Sequence, residues 1–282
     1  DQHHLHLPPR DDAARQHREL RERDAELGVV LVRLHLAGAE LEAGRGLVEP
    51  RRLPLGLDRV RLVGVYVAMV VAESLAIARD AAEALVVEYE VLDAVVRGDD
   101  ALNPGAPVLH EEAPGNLVCD WHKGDAAAVE AAFARAAHVT RVALRSPRIV
   151  AGYIETRAAL AEWRDGLVTL TTPSLGVHVL HRLLCDHVLL WPRERLRVIT
   201  QEVGGGFGPK LPPYPEQALA CFAARQLGRA VRWVQDRTEH HLADTHARDL
   251  VAEAALALDA DGRFLAIRVE AFANFGAFVS TV

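Results

Sequence analysis

The chain has 282 residues, half of them hydrophobic, which is enough for a substantial core in one large domain or two small ones. Its formal net charge of -7 argues against a general nucleic-acid binder, which needs clustered lysine and arginine. Three cysteines without metal-like spacing predict a reducing compartment, the cytoplasm, and no apolar run approaches the ~20 residues that span a bilayer.

The first 56 residues differ in character from the rest of the chain. They open with a polar stretch that contains His3, His4 and His6, and residues 11–26 are densely charged with both signs, as in an exposed helix. The three histidines suit a disordered terminus, with metal capture as the alternative. We therefore treat residues 1–56 as an atypical polar N-terminal segment.

An orderly alternation of strand and helix patterns begins near Arg59. Residues 60–72 are apolar and rich in β-branched side chains, which predicts a buried strand. Ser74 provides an N-cap for a helix whose apolar residues recur at helical spacing as far as Leu85. Residues 86–91 alternate as a second strand, so this stretch predicts a β-α-β unit with parallel strands.

A loop rich in proline and glycine over residues 103–115 is the best candidate for a domain boundary. Beyond it, the pattern predicts helices over residues 125–137, 178–188 and 216–227, and strands over residues 140–145, 168–172, 196–200 and 230–234. Residues 251–258 and 264–272 form a predicted hairpin, because the Asp261-Gly262 pair between them favours a tight turn.

The sharpest functional feature is the run Gly204-Gly205-Gly206-Phe207-Gly208. Only glycine adopts positive φ without cost and lets another group touch the main chain. The run leaves a row of N–H groups with no side chains in front, which can form a nest for an oxyanion or an oxo ligand. Phe207 is expected to pack as an apolar wall, Pro209 to stiffen the exit and Lys210 to add a positive charge.

Spacing alone leaves several interpretations of this loop open. A phosphate loop of nucleotide-hydrolysing enzymes needs Gly-x-x-x-x-Gly-Lys-Ser/Thr, and this segment lacks both the spacing and the hydroxyl. A dinucleotide loop needs Gly-x-Gly-x-x-Gly opening a helix, but Pro209 stands where the last glycine is required and further prolines delay the next helix. A glycine-rich turn without any ligand is the remaining alternative.

Many separate segments of the chain follow one family order. They are residues 60–64, 70–73, 109–116, 152–157, 196–210, 214–219, 237–240 and 245–249. Together they resemble the large molybdopterin-binding subunit of the molybdenum hydroxylases, the family of xanthine dehydrogenase, aldehyde oxidase and aerobic carbon monoxide dehydrogenase. The resemblance covers about residues 57–282.

The resemblance implies an α+β fold, with an α/β hammerhead domain over residues 57–115 followed by the first part of a molybdopterin-binding domain over residues 116–282. It implies a molybdenum–molybdopterin cofactor, often the cytosine dinucleotide form in bacteria, that serves hydroxylation of an aldehyde, an N-heterocycle or a CO-type substrate with water oxygen. Iron–sulfur and flavin subunits or domains would be partners. In the family, backbone N–H groups of this loop lie near a molybdenum oxo ligand, which assigns cofactor binding to Gly205, Gly206, Phe207 and Gly208.

The sequence departs from the family pattern at three places. Leu175 stands where members commonly carry a glutamine whose amide reaches the molybdenum oxo ligand, and losing a comparable donor costs on the order of 3 kcal/mol. The family's general-base glutamate and most pterin contacts would lie beyond Val282, in a C-terminal half that would be a further partner, so no catalytic residue is assigned. Residues 1–56 lack the usual opening, and residues 64–67 replace a common Gly-Glu-Pro-Val.

Three hypotheses about function follow. The first is an oxidoreductase subunit that needs the C-terminal half for catalysis. The second is a non-catalytic truncated fragment or assembly module that retains the fold. The third is a nucleotide-binding protein that uses the glycine loop alone.

Other residues admit both a functional and a structural interpretation. Glu155 either orients the site wall or forms a salt bridge with Arg157 or another neighbour. His240, His241 and His246 suit ordinary polar packing, with a metal site as the alternative, since no carboxylate or cysteine completes a ligand set at metal-like spacing. Two cysteines on predicted helices are expected to be buried small hydrophobic residues, namely Cys185 and Cys221.

Overall fold

The computed structural model describes residues 52–279, so the predictions for residues 1–51 and 280–282 lie outside it. In chain order its main elements are helices α1 (Leu75–Glu83), α2 (Gly98–Ala101) and α3 (Ala126–Ala134), strands β1 (His138–Ser146), β2 (Ala158–Arg164) and β3 (Leu167–Thr171), helix α4 (Val177–Leu183), strand β4 (Leu196–Ile199), helix α5 (Pro215–Leu227), strand β5 (Val231–Val234), helix α6 (Arg237–Ala243), and strands β6 (Leu250–Leu258) and β7 (Phe264–Ala273). This mixture of helix and sheet agrees with the expected α+β class. Within residues 52–279, no helix is long and apolar enough to cross a membrane.

The predicted helix after Ser74 is confirmed. Helix α1 begins where the Ser74 side chain accepts a hydrogen bond from the Ile77 N–H. An N-cap hydroxyl satisfies one of the four main-chain donors that a helix start leaves unpaired. The signal was therefore local, and the local sequence was sufficient to find it.

The predicted strands on either side of α1 are wrong. In the described chain, residues 60–72 form no strand, and residues 86–91 contain only an isolated bridge at Tyr89, so the parallel β-α-β unit is not formed. Met69 and Val71 nevertheless pack against the central core. The apolar pattern of this segment therefore reflects partial burial of side chains and not hydrogen bonding of the main chain in a sheet.

The predicted loop over residues 103–115 is organised by a single side chain at its end. Asn116 accepts a hydrogen bond from the Leu109 N–H and donates two, to the carbonyl oxygens of Ala101 and Pro107. Its main chain has φ of 57°, a conformation that asparagine tolerates better than most residues. An irregular segment with many polar main-chain groups is closed in this way without a strand or long helix.

A three-stranded antiparallel sheet with the order β1-β6-β7 contains the predicted hairpin. Strands β6 and β7 turn around Asp259, whose carboxylate accepts from the N–H groups of Asp261 and Arg263. Gly262 supplies the positive φ of 80° that this turn requires. Helix α3 begins at the predicted cap Asp125 and packs against β7.

The second sheet has the order β4-β3-β2-β5, with β3 and β4 parallel and the other neighbours antiparallel. Strands β3, β4 and β5 lie close to their predicted positions, but β2 was not expected. Three of its seven residues are alanine, a helix-favouring residue, and none is β-branched, so it lacks the usual strand signal. Pairing on both sides overrides that local preference.

The central core forms where α5 lies on the second sheet. Small buried residues on both elements, such as Ala159 and Ala161 on β2 and Ala218 and Cys221 on α5, let the helix approach closely. Helix α5 ends at Gly228, with φ of 63°, as its sequence predicts. The chain between β4 and the start of α5 carries the glycine run.

Candidate functional site

Three residues of the glycine loop have positive φ. Gly205 has φ of 93°, Phe207 of 53° and Gly208 of 104°, whereas Gly206 between them is not in the positive-φ region. Turn conformations with positive φ can aim successive N–H groups at one ligand, as in an anion-binding nest. The loop has positive φ at Gly205 and Phe207, on either side of Gly206, and again at Gly208.

Four of the five main-chain donors of this loop have no acceptor among residues 52–279. Among the described residues, the N–H groups of Gly205, Gly206, Phe207 and Gly208 donate to no protein acceptor. The N–H of Gly204 before them donates to Glu155, so the unpaired stretch has a defined beginning. Four consecutive free N–H groups suit a ligand that presents negative oxygen.

A side chain at two of the glycines would meet neighbouring side chains of the protein. A Cβ on Gly204 would lie 2.5 Å from Cβ of Glu155, and a Cβ on Gly206 would lie 2.8 Å from both terminal carbons of Leu175. Gly208 differs, because a Cβ there meets no atom within 4 Å, and its need for glycine comes from the backbone alone. Leu175 therefore covers Gly206 with an apolar side chain that offers no donor.

Phe207 does not pack into a core in this structure. The side chain is 77% exposed, and its ring lies over Gly205, with Cε2 3.3 Å from the position of a Cβ there. The main chain of Phe207 has a positive φ of 53°. Instead of forming an apolar wall, the Phe207 ring lies on Gly205 of its own loop.

Lys210 does not present its charge at the loop surface as the sequence suggested. Its side chain is fully buried, with Nζ 2.8 Å from Oε2 of Glu155 and 4.5 Å from the ring centroid of Tyr153. Glu155 pairs with Lys210 and not with Arg157. Burial alone would raise the pKa of the Glu155 carboxyl, but the hydrogen bonds from Lys210 and from the Gly204 N–H outweigh it and lower that pKa.

A buried charged cluster lies beside this pair. The Arg157 guanidinium approaches Glu216 at 2.7 Å and Asp244 at 3.1 Å, and it stacks on the ring of Tyr214 at 3.4 Å. Burial alone would lower the pKa of the guanidinium, but the neighbouring acids raise it above its usual value. Asp244 has three further partners, which are Tyr153, Gln235 and His240.

Sequence reasoning found no pairing for this cluster, because its members are far apart in the chain. Tyr153 and Asp244, for example, are separated by 91 positions. A usable signal did exist, since Arg157 and Glu216 are charged residues inside two of the segments that resemble the family. Helix α6 adds to the arrangement, because Arg237 at its start donates to the carbonyl oxygen of Tyr153 at 2.8 Å.

The three histidines singled out by the sequence do not converge on one point. His240 is fully buried, with Nδ1 2.9 Å from Asp244, and burial lowers its pKa. His246 instead contacts the carbonyl oxygen of His241 at 3.0 Å. Within residues 52–279, no group of three or more histidine, cysteine or acidic side chains is placed to hold a metal ion.

Both cysteines on predicted helices are buried, as expected. Burial raises the pKa of the Cys185 thiol to about 11 and raises that of Cys221 further. A thiol whose pKa is raised by apolar surroundings is a poor nucleophile at neutral pH. Cys185 and Cys221 therefore act as small core residues.

Comparison with known proteins agrees with the resemblance seen in the motifs. A family model described as "Molybdopterin cofactor-binding domain" matches residues 109–282. The carbon monoxide dehydrogenase large chain of Hydrogenophaga pseudoflava is 36% identical over 235 residues, which cover 78% of this chain and 29% of that protein. The nicotine 6-hydroxylase large subunit of Paenarthrobacter nicotinovorans is 33% identical over 86% of this chain and 30% of that protein.

A solved structure gives the same result. The crystal structure of quinoline 2-oxidoreductase from Pseudomonas putida 86 matches with a TM-score of 0.72 and 32% sequence identity, over 90% of this chain and 31% of that chain. The chain therefore spans less than a third of the length of these relatives. Because the family model covers more than half of the present sequence, the chain belongs to the molybdopterin cofactor-binding domain family.

Proposed function

We propose that the loop residues Gly205, Gly206, Phe207 and Gly208 bind the molybdenum–molybdopterin cofactor of an oxidoreductase that hydroxylates a carbon centre with oxygen from water. The observation that carries this proposal is the row of four N–H groups without a protein acceptor, in a chain of the cofactor-binding family. The relatives are named for carbon monoxide, nicotine and quinoline, which supports a CO-type or N-heterocyclic substrate, with an aldehyde as a further class.

The donor set fits the negatively charged oxygen that such a cofactor presents. Main-chain N–H groups held in a fixed loop stabilise developing negative charge without reorganising, and removing one comparable donor costs on the order of 3 kcal/mol. When bound, the cofactor supplies two-electron redox chemistry at the substrate carbon. The residues of this chain orient it and stabilise its negative charge.

The same proposal includes the wider organisation of the protein. Residues 57–115 would form the α/β hammerhead domain and residues 116–282 the first part of the molybdopterin-binding domain. The names "large chain" and "large subunit" of two relatives support partner subunits, for which we propose iron–sulfur and flavin carriers in a cytoplasmic complex. The cytosine dinucleotide form is the cofactor variant we propose.

A second candidate function is a non-catalytic module that keeps the fold and subunit contacts. Leu175 favours it, because its side chain lies on Gly206 and supplies no hydrogen-bond donor to a ligand of the loop. The two candidates differ in whether the loop is occupied. They can therefore be separated by measuring what it binds.

The direct test is the molybdenum content of the chain, purified from a host that makes the cofactor. We expect near-equimolar molybdenum when the chain is co-expressed with the part of the Hydrogenophaga pseudoflava large chain that it does not match, and much less when it is expressed alone. The Gly208→Ala variant should lose most of this molybdenum, because its methyl group enters space that no described protein atom fills, on a residue whose own N–H is one of the free donors.

Gly262→Ala is the matched control for that variant. Gly262 also has positive φ, and a methyl group added there would meet no atom within 4 Å, but it lies in the distant β6–β7 turn. The Gly262→Ala variant should retain the molybdenum, although it should lose about as much stability as Gly208→Ala. Absence of molybdenum from the co-expressed wild type would favour the non-catalytic module, and tight ATP or NAD binding in its place would favour the nucleotide-binding hypothesis.

A further inference from the structure

One carboxylate oxygen accepts hydrogen bonds from both ends of the segment 204–210, which contains the glycine loop. Oε2 of Glu155 accepts a hydrogen bond from the Gly204 N–H at 2.8 Å and another from Nζ of Lys210 at 2.8 Å. The Glu155 N–H also donates to the carbonyl oxygen of Gly204 at 3.2 Å. Glu155 thereby connects the first and last residues of the segment 204–210 by hydrogen bonds.

The Lys210 end of this segment is fixed by its surroundings. The side chain of Lys210 is fully buried against the ring of Tyr153, and its carbonyl oxygen accepts from the Leu175 N–H at 3.1 Å. A buried ammonium needs an anionic partner, because leaving it uncompensated is strongly destabilising. Lys210 is thus committed to Glu155 and is not free to bind a ligand through its charge.

We propose that Glu155 is a positioning residue, which holds residues 204–210 in the conformation that leaves the N–H groups of residues 205–208 unpaired. This inference rests on the proposed function for the identity of the ligand, although the conformational effect can be measured without one. Glycines at positive φ have many alternative conformations, so a loop tied at only one end would lose the common direction of its donors. A salt bridge between Glu155 and Lys210 alone would not hold the loop in this way, because the Gly204 N–H would then have no acceptor.

The test is amide hydrogen exchange in the isotope-labelled 282-residue chain, followed residue by residue by NMR. We expect the Gly204 amide to be protected in the wild type and to exchange at least about tenfold faster in Glu155→Ala, as for loss of a charge-assisted hydrogen bond. The amide signals of Gly205, Gly206 and Gly208 should shift in the same variant. Glu155→Gln/Lys210→Met, which keeps an acceptor oxygen without leaving a buried ammonium unpaired, should restore much of the Gly204 protection.

Glu202→Ala is the matched control, because Glu202 is exposed, close in sequence and, within residues 52–279, in no ion pair. It should leave the Gly204 exchange rate and the loop signals unchanged. If Glu155→Ala does not fold, Glu155→Ala/Lys210→Met removes both charges and still deletes the Gly204 acceptor. Wild-type exchange at Gly204 in a folded variant that lacks the Glu155 carboxylate would overturn the proposal.

The molybdenum content of the co-expressed variants separates this inference from the proposed function. Faster Gly204 exchange together with a lower molybdenum content in Glu155→Ala than in Glu202→Ala supports both. Faster exchange in a chain whose wild type takes up no molybdenum supports the positioning role and contradicts the cofactor. Unchanged exchange with normal molybdenum uptake contradicts the positioning role alone.

Discussion

At the scale of single residues, Gly206 and Leu175 form an interlocking pair. The Leu175 side chain lies where a Cβ on Gly206 would be. The three protein atoms nearest to that Cβ would be Cγ, Cδ1 and Cδ2 of Leu175. A methyl group on Gly206 would therefore displace Leu175 as well as cover the main chain. This double effect distinguishes Gly206 from Gly208, which faces open space.

The pair predicts a rescue. Gly206→Ala should destabilise the chain by about 1 kcal/mol, because the new methyl group makes the half-exposed Leu175 side chain shift. Leu175→Ala removes the three atoms nearest to this methyl group, so the double variant should recover most of the loss. Urea unfolding of the wild type, both single variants and the double variant gives the coupling free energy. Strict additivity of the two substitutions would contradict the interlock.

Glu155 also gives a pH dependence that can be measured. Its pKa is lowered in the folded state, so its contribution to stability is fully present above the ordinary value of 4.5 and is lost as the pH falls through the folded value. The difference in melting temperature between the wild type and Glu155→Gln should therefore be constant near neutral pH and shrink below about pH 4.5. A difference that stays constant down to pH 3 would show that the ionised carboxylate is not what stabilises the loop.

At the scale of elements, the sequence predicts those whose signals are local. Helix α1 was found from Ser74, helix α3 from Asp125, and the β6–β7 hairpin from its Asp-Gly turn, because caps and turns are formed by neighbouring residues. Strand β2 was missed because its alanines favour helix, and residues 60–72 were overassigned because burial without pairing gives the same pattern as a strand. The glycine loop was found from composition, whereas the Arg157 cluster depends on contacts between distant elements.

Helix α6 shows how a short element can be held by such contacts. It has seven residues, its Asp236 and Glu239 form a capping box, and His240 on its buried side contacts Asp244 just beyond its end. Isolated helices of this length are not stable in water. The cap, the buried histidine–aspartate contact and the hydrogen bonds from Arg237 to the carbonyl oxygens of Tyr153 and Ile154 all support it.

The buried histidine predicts how stability varies with pH. Burial lowers the pKa of His240 below its ordinary value of 6.5, more strongly than Asp244 raises it, so the unfolded chain binds a proton at pH values where the folded chain does not. The wild type should therefore lose stability as the pH falls through about 6.5, toward the folded pKa. His240→Asn retains an N–H for Asp244 and cannot titrate, so the wild-type advantage in unfolding free energy should shrink between pH 7.5 and pH 5.5. An advantage that grows on acidification would mean that His240 is protonated in the fold.

At the scale of the whole molecule, the three-stranded sheet has one apolar face in contact with water. The strand register aligns Val142 of β1 with Ala254 of β6 and Val269 of β7, and this row continues through Leu144 and Ile267. The four larger side chains of this face are between 48% and 63% exposed. The opposite face is covered in part by α3, where Arg268 lies 4.5 Å from the ring centroid of Phe133. Contiguous exposed apolar surface of this kind is unusual for a stable monomer and promotes association.

This face predicts the solution behaviour of the chain. The 282-residue chain should bind a hydrophobic dye and self-associate as its concentration rises, because the exposed valine, leucine and isoleucine side chains form one surface. Ile267→Lys places a charge in the middle of it and should weaken both effects. Since Ile267 is 63% exposed, its loss should change the melting temperature little.

Val251→Lys, on the other face of β6, is the comparison. That side chain is less exposed, so the substitution should lower stability without removing the dye signal. Equal dye binding by the wild type and Ile267→Lys, measured at matched concentration alongside sedimentation velocity, would show that this face does not govern association.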